Sequence, residues 1–288
     1  MNNHEKLNVL LQNAKLLKER ENMAKEQRRI MLSSVATELC STGKNNSIES
    51  IVTAFSLCDP SPEEKILLYS EISRYPKLAQ EIKDSFPLGS RERVTAGSHS
   101  KIAYVKNDIN SYAYNFFCEK IANAKPTPVS SFSSACESVW EGESEFCILP
   151  VENAAGKLLG FYSTIERYEL KIRMVCNIDE EDAQPVKYAL LSRSCKWITE
   201  KAKKQNFTFE FFILAENTDF LGDIIKASAA CEAEFNGLDF MPVEYDSGLK
   251  RYLFSFNVSG YNVLPFHTFM SLNYETYVPL GFFNYNLN

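Results

Sequence analysis

Histidine is scarce in this chain: three residues in 288, at positions 4, 99 and 267. So wide a spacing gives little support to a zinc site or a His-based catalytic triad. Eight cysteines (40, 58, 118, 136, 147, 176, 195 and 231) contain no Cys-x-x-Cys pair, and several lie inside apolar runs. They read as buried, reduced thiols of a cytoplasmic protein rather than as a disulfide framework. There is no run of about 18 apolar residues, so no membrane-spanning helix is expected. Met1-Asn2-Asn3-His4-Glu5 has no apolar core after it and does not read as a signal peptide. A basic stripe is missing too. Lys and Arg number 31 against 37 Asp and Glu, and the net charge of −6 argues against nucleic acid as the main partner. Internal repeats and low-complexity tracts are also absent. No metal or cofactor is expected from this inventory.

What remains is ordinary globular material, 45% hydrophobic and 24% charged. A chain of this length accommodates two or three small domains with real cores. Residues 5–39 carry neither Pro nor Gly and are rich in Leu, Lys, Glu, Gln and Ala, which predicts one long helix. Its apolar stripe is interrupted: Leu7, Leu10, Leu11, Ala14 and Leu17, then Met31, Leu32, Val35 and Leu39. Such a helix must pack on other helices or on a second subunit. Ser47 caps a second helix to about Leu57, and Pro62-Glu63 opens a third, running to Ser85 across Pro76. Pro87 to Ser100 reads as a linker.

From Lys101 the pattern becomes strand and helix in alternation: strands at 102–105 and 127–129, a helix at 111–122. This predicts βαβ units on a parallel sheet. Apolar runs at 170–178 and 188–191 add strands. The last third reads βαββαβ: strands at 207–214, 238–245, 251–258 and 277–283, and helices at 221–235 and 266–272. That order gives an antiparallel sheet with both helices on one face, and Asp246-Ser247-Gly248 is a good hairpin turn.

The stretch from Phe132 to Gly156 carries the most chemistry. Ala135, Val139 and Trp140 line one face of a short helix, Gly142 ends it, and Phe146 to Leu149 reads as a buried strand stopping at Pro150. In an open α/β sheet, polar groups just past a strand's carboxyl end sit where ligands bind. Glu152 and Asn153 occupy that place. An acid and an amide there also serve simply as loop and helix-cap residues.

These residues resemble a known family. Phe132, Ala135-Cys136-Glu137-Ser138-Val139, Gly142, Phe146 and Leu149-Pro150-Val151-Glu152-Asn153 match in order and spacing the Pro-hydrophobic-Glu-Asn motif of prephenate dehydratases. The match departs at Ala154, where the family has Ser or Thr. Asn110-Ser111-Tyr112-Ala113 resembles the family's Gly-Ser-Tyr-Ser turn, and Lys171-Ile172-Arg173-Met174-Val175 a later family strand. Val186-Lys187-Tyr188 resembles the Thr-Arg-Phe strand, with Val186 where the presumed proton-donating threonine stands. In the family a whole second lobe precedes that strand; here residues 179–185 alone separate it from Ile178.

The order helical third, α/β third, βαββαβ third resembles bifunctional chorismate mutase–prephenate dehydratases ending in an ACT domain. The resemblance implies a multidomain α and α/β protein. Residues 1–88 would be a helical mutase-like domain, 100–195 a truncated dehydratase-like lobe and 205–288 an ACT-like domain. A mutase site needs convergent cations for two carboxylates. The resemblance keeps one arginine, Arg28 or Arg29, while Gln12 and Leu39 replace the other expected cations, which argues against mutase activity. In the last third, Leu238-Asp239-Phe240-Met241-Pro242-Val243-Glu244 and Tyr252-Leu253-Phe254-Ser255-Phe256 resemble ACT strands. The phenylalanine-binding positions carry Asp219-Phe220-Leu221 and Tyr245-Asp246 instead of the family's residues.

Site residues implied by the resemblance are Glu152, Asn153 and Lys187 for chemistry. Asn110, Ser111, Glu152, Asn153, Arg28 and Arg29 would hold substrate, and Asp219, Leu221, Asp239 and Glu244 an effector. Two expectations stand. Either the chain is a catalytically degenerate relative that binds a small prephenate-like carboxylate, L-phenylalanine or a partner protein, or it is an active dehydratase converting prephenate to phenylpyruvate in a minimal cleft. A homodimer through the helices and the ACT-like sheet is expected in both cases.

Overall fold

The computed structural model describes residues 3–42, 47–89, 100–153, 156–178, 186–195, 197–243 and 246–284. It divides into two compact units, residues 1–82 and 83–288.

The first unit is helical. Helix α1 (Asn3–Thr42) is the expected long helix. Helix α2 (Ile48–Ser56) is capped by the Ser47 hydroxyl accepting from the Ser50 amide. Where one third helix is expected across Pro76, there are two, α3 (Pro62–Arg74) and α4 (Pro76–Ser85). Proline cannot donate the helical hydrogen bond and forces the residue before it out of the helical region. Tyr75 accordingly adopts an extended ψ of 108° and closes α3, and Pro76 takes the first position of α4, where its missing N–H costs nothing. Ser61 and Glu64 form a full capping box at the start of α3. Leu32, Ala36 and Cys40 of α1 are buried along with Ile51, Phe55, Ile66 and Ile72, so the carboxyl-terminal third of α1 supplies the core. Leu10, Leu11, Leu17, Met23 and Met31 remain exposed.

The second unit begins with strand β1 (Lys101–Val105), helix α5 (Asp108–Cys118), strand β2 (Lys125–Val129) and helix α6 (Phe132–Trp140). Strands β3 (Phe146–Asn153) and β4 (Gly156–Lys157), helix α7 (Leu159–Arg167), and strands β5 (Lys171–Ile178) and β6 (Val186–Ser192) complete a six-stranded sheet. Its order is β2-β1-β3-β6-β5, with β4 paired to β3. The fully parallel sheet that βαβ alternation predicts is corrected to a mixed one. β1, β2 and β3 run parallel, but β6 is antiparallel to both neighbours. The short 179–185 connection explains this, because a parallel return needs a crossover of a dozen residues or more.

Successive residues of the central strands face opposite layers. Ile102, Tyr104, Phe146, Ile148, Tyr188 and Leu190 pack with Ala113 and Phe117 of α5. Ala103, Cys147, Leu149, Val151, Ala189 and Leu191 pack with α6 and α7, against Ala135, Val139, Phe161, Tyr162 and Ile165. Edge strand β2 alternates Pro126 and Pro128, which keeps further strands from joining it.

Strand β7 (Asn206–Ala215), helix α8 (Leu221–Ala230), strands β8 (Glu234–Val243) and β9 (Asp246–Ser259), helix α9 (Val263–Asn273) and strand β10 (Tyr277–Phe283) build a second, four-stranded sheet. The order β10-β7-β9-β8 is antiparallel throughout, as the βαββαβ pattern predicts. The hairpin turn predicted at Asp246-Ser247-Gly248 falls one step late: Asp246 already pairs with Val243, and the connection 244–245 lies outside the described residues. One face carries Phe209, Phe211, Phe254 and Phe256 against Phe266 of α9. The other face sets Phe212, Met241, Leu253 and Leu280 into the same core as α6 and α7. Backbone approach there is close. Gly281 has φ +151°, and a Cβ on it would stand 2.4 Å from the carbonyl oxygen of Ile172 in β5.

Candidate functional site

The carboxyl ends of β1, β2 and β3, the amino ends of α5 and α6, and the first residues of antiparallel β6 share one edge of the six-stranded sheet. This edge gathers five of the eleven expected site residues: Asn110, Ser111, Glu152, Asn153 and Lys187. Strand β3 does not stop before Pro150 as expected but continues to Asn153. Its pairing with β1 ends at Cys147, so one side of β3 is open where Pro150 sits and proline is tolerated. From Glu152 onward β4 takes that side, pairing Glu152 with Lys157 and Asn153 with Gly156. Glu152 and Asn153 thus belong to a strand, on a hairpin, rather than to a loop.

A β-bulge decides what Glu152 faces. Pro150 pairs with Tyr188, and an unbroken register would set Glu152 opposite Val186. The register slips by one at Val151, and Glu152 stands opposite Lys187 instead. The Lys187 ammonium donates to the Glu152 carboxylate at 2.5 Å, with both side chains about one-third exposed. A charge-assisted pair of this kind holds both groups at the mouth of the edge.

Asn110 and Ser111 share the edge but point into local structure. Buried Asn110 donates its side-chain amide to the Val105 carbonyl at 2.8 Å, closing the β1–α5 connection. The Ser111 hydroxyl donates to the Asn107 carbonyl at 2.6 Å. Asn107 caps α5 and Ser131 caps α6, so the partial positive charge of two helix ends falls on this edge. Asn153 is exposed, and Ala154 lies outside the described residues.

The remaining expected site residues lie elsewhere. Arg28 belongs to the helical unit, where its guanidinium donates to the Glu64 carboxylate at 2.7 Å and to the carbonyls of Cys58 and Asp59 at 2.9 and 3.0 Å. Those bonds tie α1 to the end of α2 and the start of α3, and burial of Glu64 is countered by Arg28, which with Ser61 holds its carboxyl below the usual range. Arg29 is exposed and pairs with Glu26 at 3.6 Å. In the four-stranded sheet, Asp239 pairs across to Leu253 on the face toward the six-stranded lobe. Phe220, between Asp219 and Leu221, packs on Tyr252 and Phe254 of the opposite face. The sheet therefore separates Asp239 from Asp219 and Leu221, and Glu244 is outside the described residues.

Sequence reasoning passed over three groups. Lys157, on β4, donates to Asp239 at 2.9 Å. Arg251 of β9 meets Glu166 of α7 at 3.0 Å. Beneath them Glu210, on the lobe-facing side of β7, is fully buried and accepts from the Tyr162 hydroxyl at 3.2 Å. Burial pushes the Glu210 carboxyl above its usual range, opposed by Lys157, Tyr162 and Ser255. The visible signal for Glu210 was a lone acid inside Phe207-Thr208-Phe209-Glu210-Phe211-Phe212.

Burial governs the titration of several nucleophilic or basic side chains. Burial raises the thiols of Cys195 and Cys176 to about 11 and about 12. His267 is buried between the Tyr277 hydroxyl at 2.8 Å and the Phe86 carbonyl at 3.1 Å, and burial lowers its pKa to about 4. Among the described residues no three His, Cys, Asp or Glu side chains converge as metal ligands, and no helix is long and apolar enough to cross a membrane.

No family model matches the sequence, and no curated protein matches it. Solved structures do match in shape. Prephenate dehydratase from Streptococcus mutans superposes with a TM-score of 0.50 at 14% identity, over 64% of this chain and 97% of that one. GqqA, described as a novel type of quorum-quenching acylase, gives a TM-score of 0.50 at 15% identity, over 64% of this chain and 94% of its own. At such identity the likeness speaks of architecture: the chain has a prephenate-dehydratase-like fold.

Proposed function

We propose that this chain is a divergent relative of the prephenate dehydratases that keeps a small-carboxylate cleft at the β3–β6 edge and has lost dehydration chemistry. The observation that carries the reading is the start of β6. Val186 stands where the family motif has a hydroxyl, and the next residue, Lys187, is engaged by Glu152. Expelling the substrate's hydroxyl group requires a proton delivered to the departing oxygen, and valine has none to give. A lysine at this end of the sheet remains suited to holding a carboxylate. For an incoming carboxylate to use Lys187, it must displace Glu152, so the ion pair sets the affinity.

The second reading is an active dehydratase with a minimal cleft, favoured by the presence of Glu152 and Asn153 at their motif positions. The acylase likeness shows how little the fold decides. Acyl transfer needs a nucleophile beside a base, and the raised thiols and the neutral, fully bonded His267 do not supply that pair. On the same footing we read the helical unit as mutase-like without mutase activity, the four-stranded sheet as ACT-like, and the protein as a homodimer.

Phenylpyruvate formation from prephenate, followed by absorbance in base, tests the choice. No turnover above the spontaneous rate is expected for the wild-type protein. Turnover that disappears in Glu152→Ala establishes the active reading instead.

A further inference from the structure

The hairpin that carries Glu152 is held from the far side by a group no functional reading has used. β4 is two residues long, and Lys157 is its last. Across the hairpin Lys157 pairs with Glu152, while its ammonium reaches the Asp239 carboxylate of β8 at 2.9 Å. Lys157 thus stands between the candidate site and the four-stranded sheet. A second carboxyl group lies within electrostatic reach of it. Glu210 is buried at the same junction, bonded by Tyr162 of α7 and Ser255 of β9, and it interacts electrostatically with both Lys157 and Asp239. The titratable and polar groups facing Glu210 are therefore Lys157 from β4, Tyr162 from α7, Asp239 from β8 and Ser255 from β9. The Arg251–Glu166 pair crosses the same junction beside them.

We propose that Lys157 is a positioning residue that couples the four-stranded sheet to the Glu152 hairpin, and that the ionisation of buried Glu210 decides how firmly it does so. With Glu210 neutral, Asp239 is the anion that holds the Lys157 ammonium, and the hairpin is pinned to β8. With Glu210 ionised, a second carboxylate draws the ammonium inward and weakens the tie to Asp239. Glu210 is buried while the Lys157–Asp239 pair is partly exposed, so the competition is felt mainly from the Glu210 side. A proton, or any ligand that replaces Asp239 or Glu210 as the partner of Lys157, thereby changes the mobility of the strand end that bears Glu152 and Asn153. Only the consequence for ligand binding rests on the function proposed above. The coupling itself stands on the hairpin and its contacts.

The test is amide hydrogen exchange of the full-length protein between about pH 5 and pH 8, corrected for intrinsic exchange, with peptides covering 147–158 and 234–243 compared with β1 and β2 as an internal reference. In the wild type, protection of both peptides should fall as pH rises while the reference stays level. Glu210→Gln should abolish that pH dependence. Asp239→Asn, a surface change the fold tolerates, should raise exchange of the hairpin about fivefold or more, the lower end of ordinary coupling between sites. Lys157→Gln added to Asp239→Asn should bring no further increase. A wild-type hairpin whose protection ignores pH, pH dependence that survives Glu210→Gln, or additive effects of the Lys157 and Asp239 changes would each overturn the proposal. None of these readouts depends on prephenate, so failure of the assay described above leaves them distinct.

Discussion

Glu152 and Lys187 are both placed by the sequence motif, but the partnership between them is a product of the bulge at Val151. The motif is legible because residue types and order are read directly from sequence; a register slip of one residue leaves no mark in composition or periodicity. The pair is partly solvent-exposed, so its contribution to stability is small, below about 1 kcal/mol. Its effect on binding is larger. Glu152→Gln removes the carboxylate paired with Lys187, and calorimetry should find a small dicarboxylate bound more tightly than by the wild type, while Lys187→Met should abolish the signal. Tighter binding by the wild type than by Glu152→Gln would show that Glu152 itself contacts the ligand. Buried groups govern pH behaviour. His267 has a folded-state pKa near 4, below the ordinary 6.5. Its contribution to stability is therefore complete above pH 6.5 and lost as pH falls from there toward 4, on the order of 3 kcal/mol. Denaturant melts of the wild type should lose stability over that interval, and His267→Gln should flatten the loss. Glu210 works in the opposite sense: its raised pKa gives stability below the unfolded value near 4.5 that is lost as pH rises through the folded value. Glu210→Gln should accordingly stabilise the protein at neutral pH and matter little in acid.

At the scale of elements, most helices and strands followed from period and punctuation, and the differences have local causes. Pro76 divides a helix that the apolar pattern runs straight through, since the pattern registers burial and not backbone hydrogen bonds. Pro150 fails to end β3 because β1 has already ended beside it. Helix α7 and strand β4 went unread: 156–167 is short and mixes Gly and polar residues, and its apolar side is recognisable only once Phe161, Tyr162 and Ile165 meet the core. The junction between the sheets was equally hidden, because Lys157, Tyr162, Glu210 and Asp239 are brought together by packing across more than eighty residues of chain. Backbone contact makes that junction unforgiving. Gly281→Ala places a methyl group against the Ile172 carbonyl and strains a left-handed φ. A loss of more than about 2 kcal/mol is expected in chemical denaturation, whereas Gly222→Ala, with open space around it, should cost nothing measurable or stabilise α8.

For the whole molecule, the chain divides into a helical unit and a larger unit in which the two sheets share one core. The boundary near Ile82 predicts that residues 83–288 expressed alone fold cooperatively, with far-UV circular dichroism and a single melting transition as the check. A prephenate-dehydratase-like fold establishes shape without establishing chemistry, as the acylase of similar architecture makes plain. A cleft that binds without converting makes two demands, and one nuclear magnetic resonance titration addresses both at once. Isotope-labelled protein is titrated with prephenate at mildly alkaline pH while the signals of prephenate are followed in the same tube. Saturable shifts at Glu152, Asn153 and Lys187 are expected, with prephenate lost only at its spontaneous rate. Phenylpyruvate accumulating in proportion to protein, or no shift at those residues at millimolar prephenate, would contradict the binding-only reading.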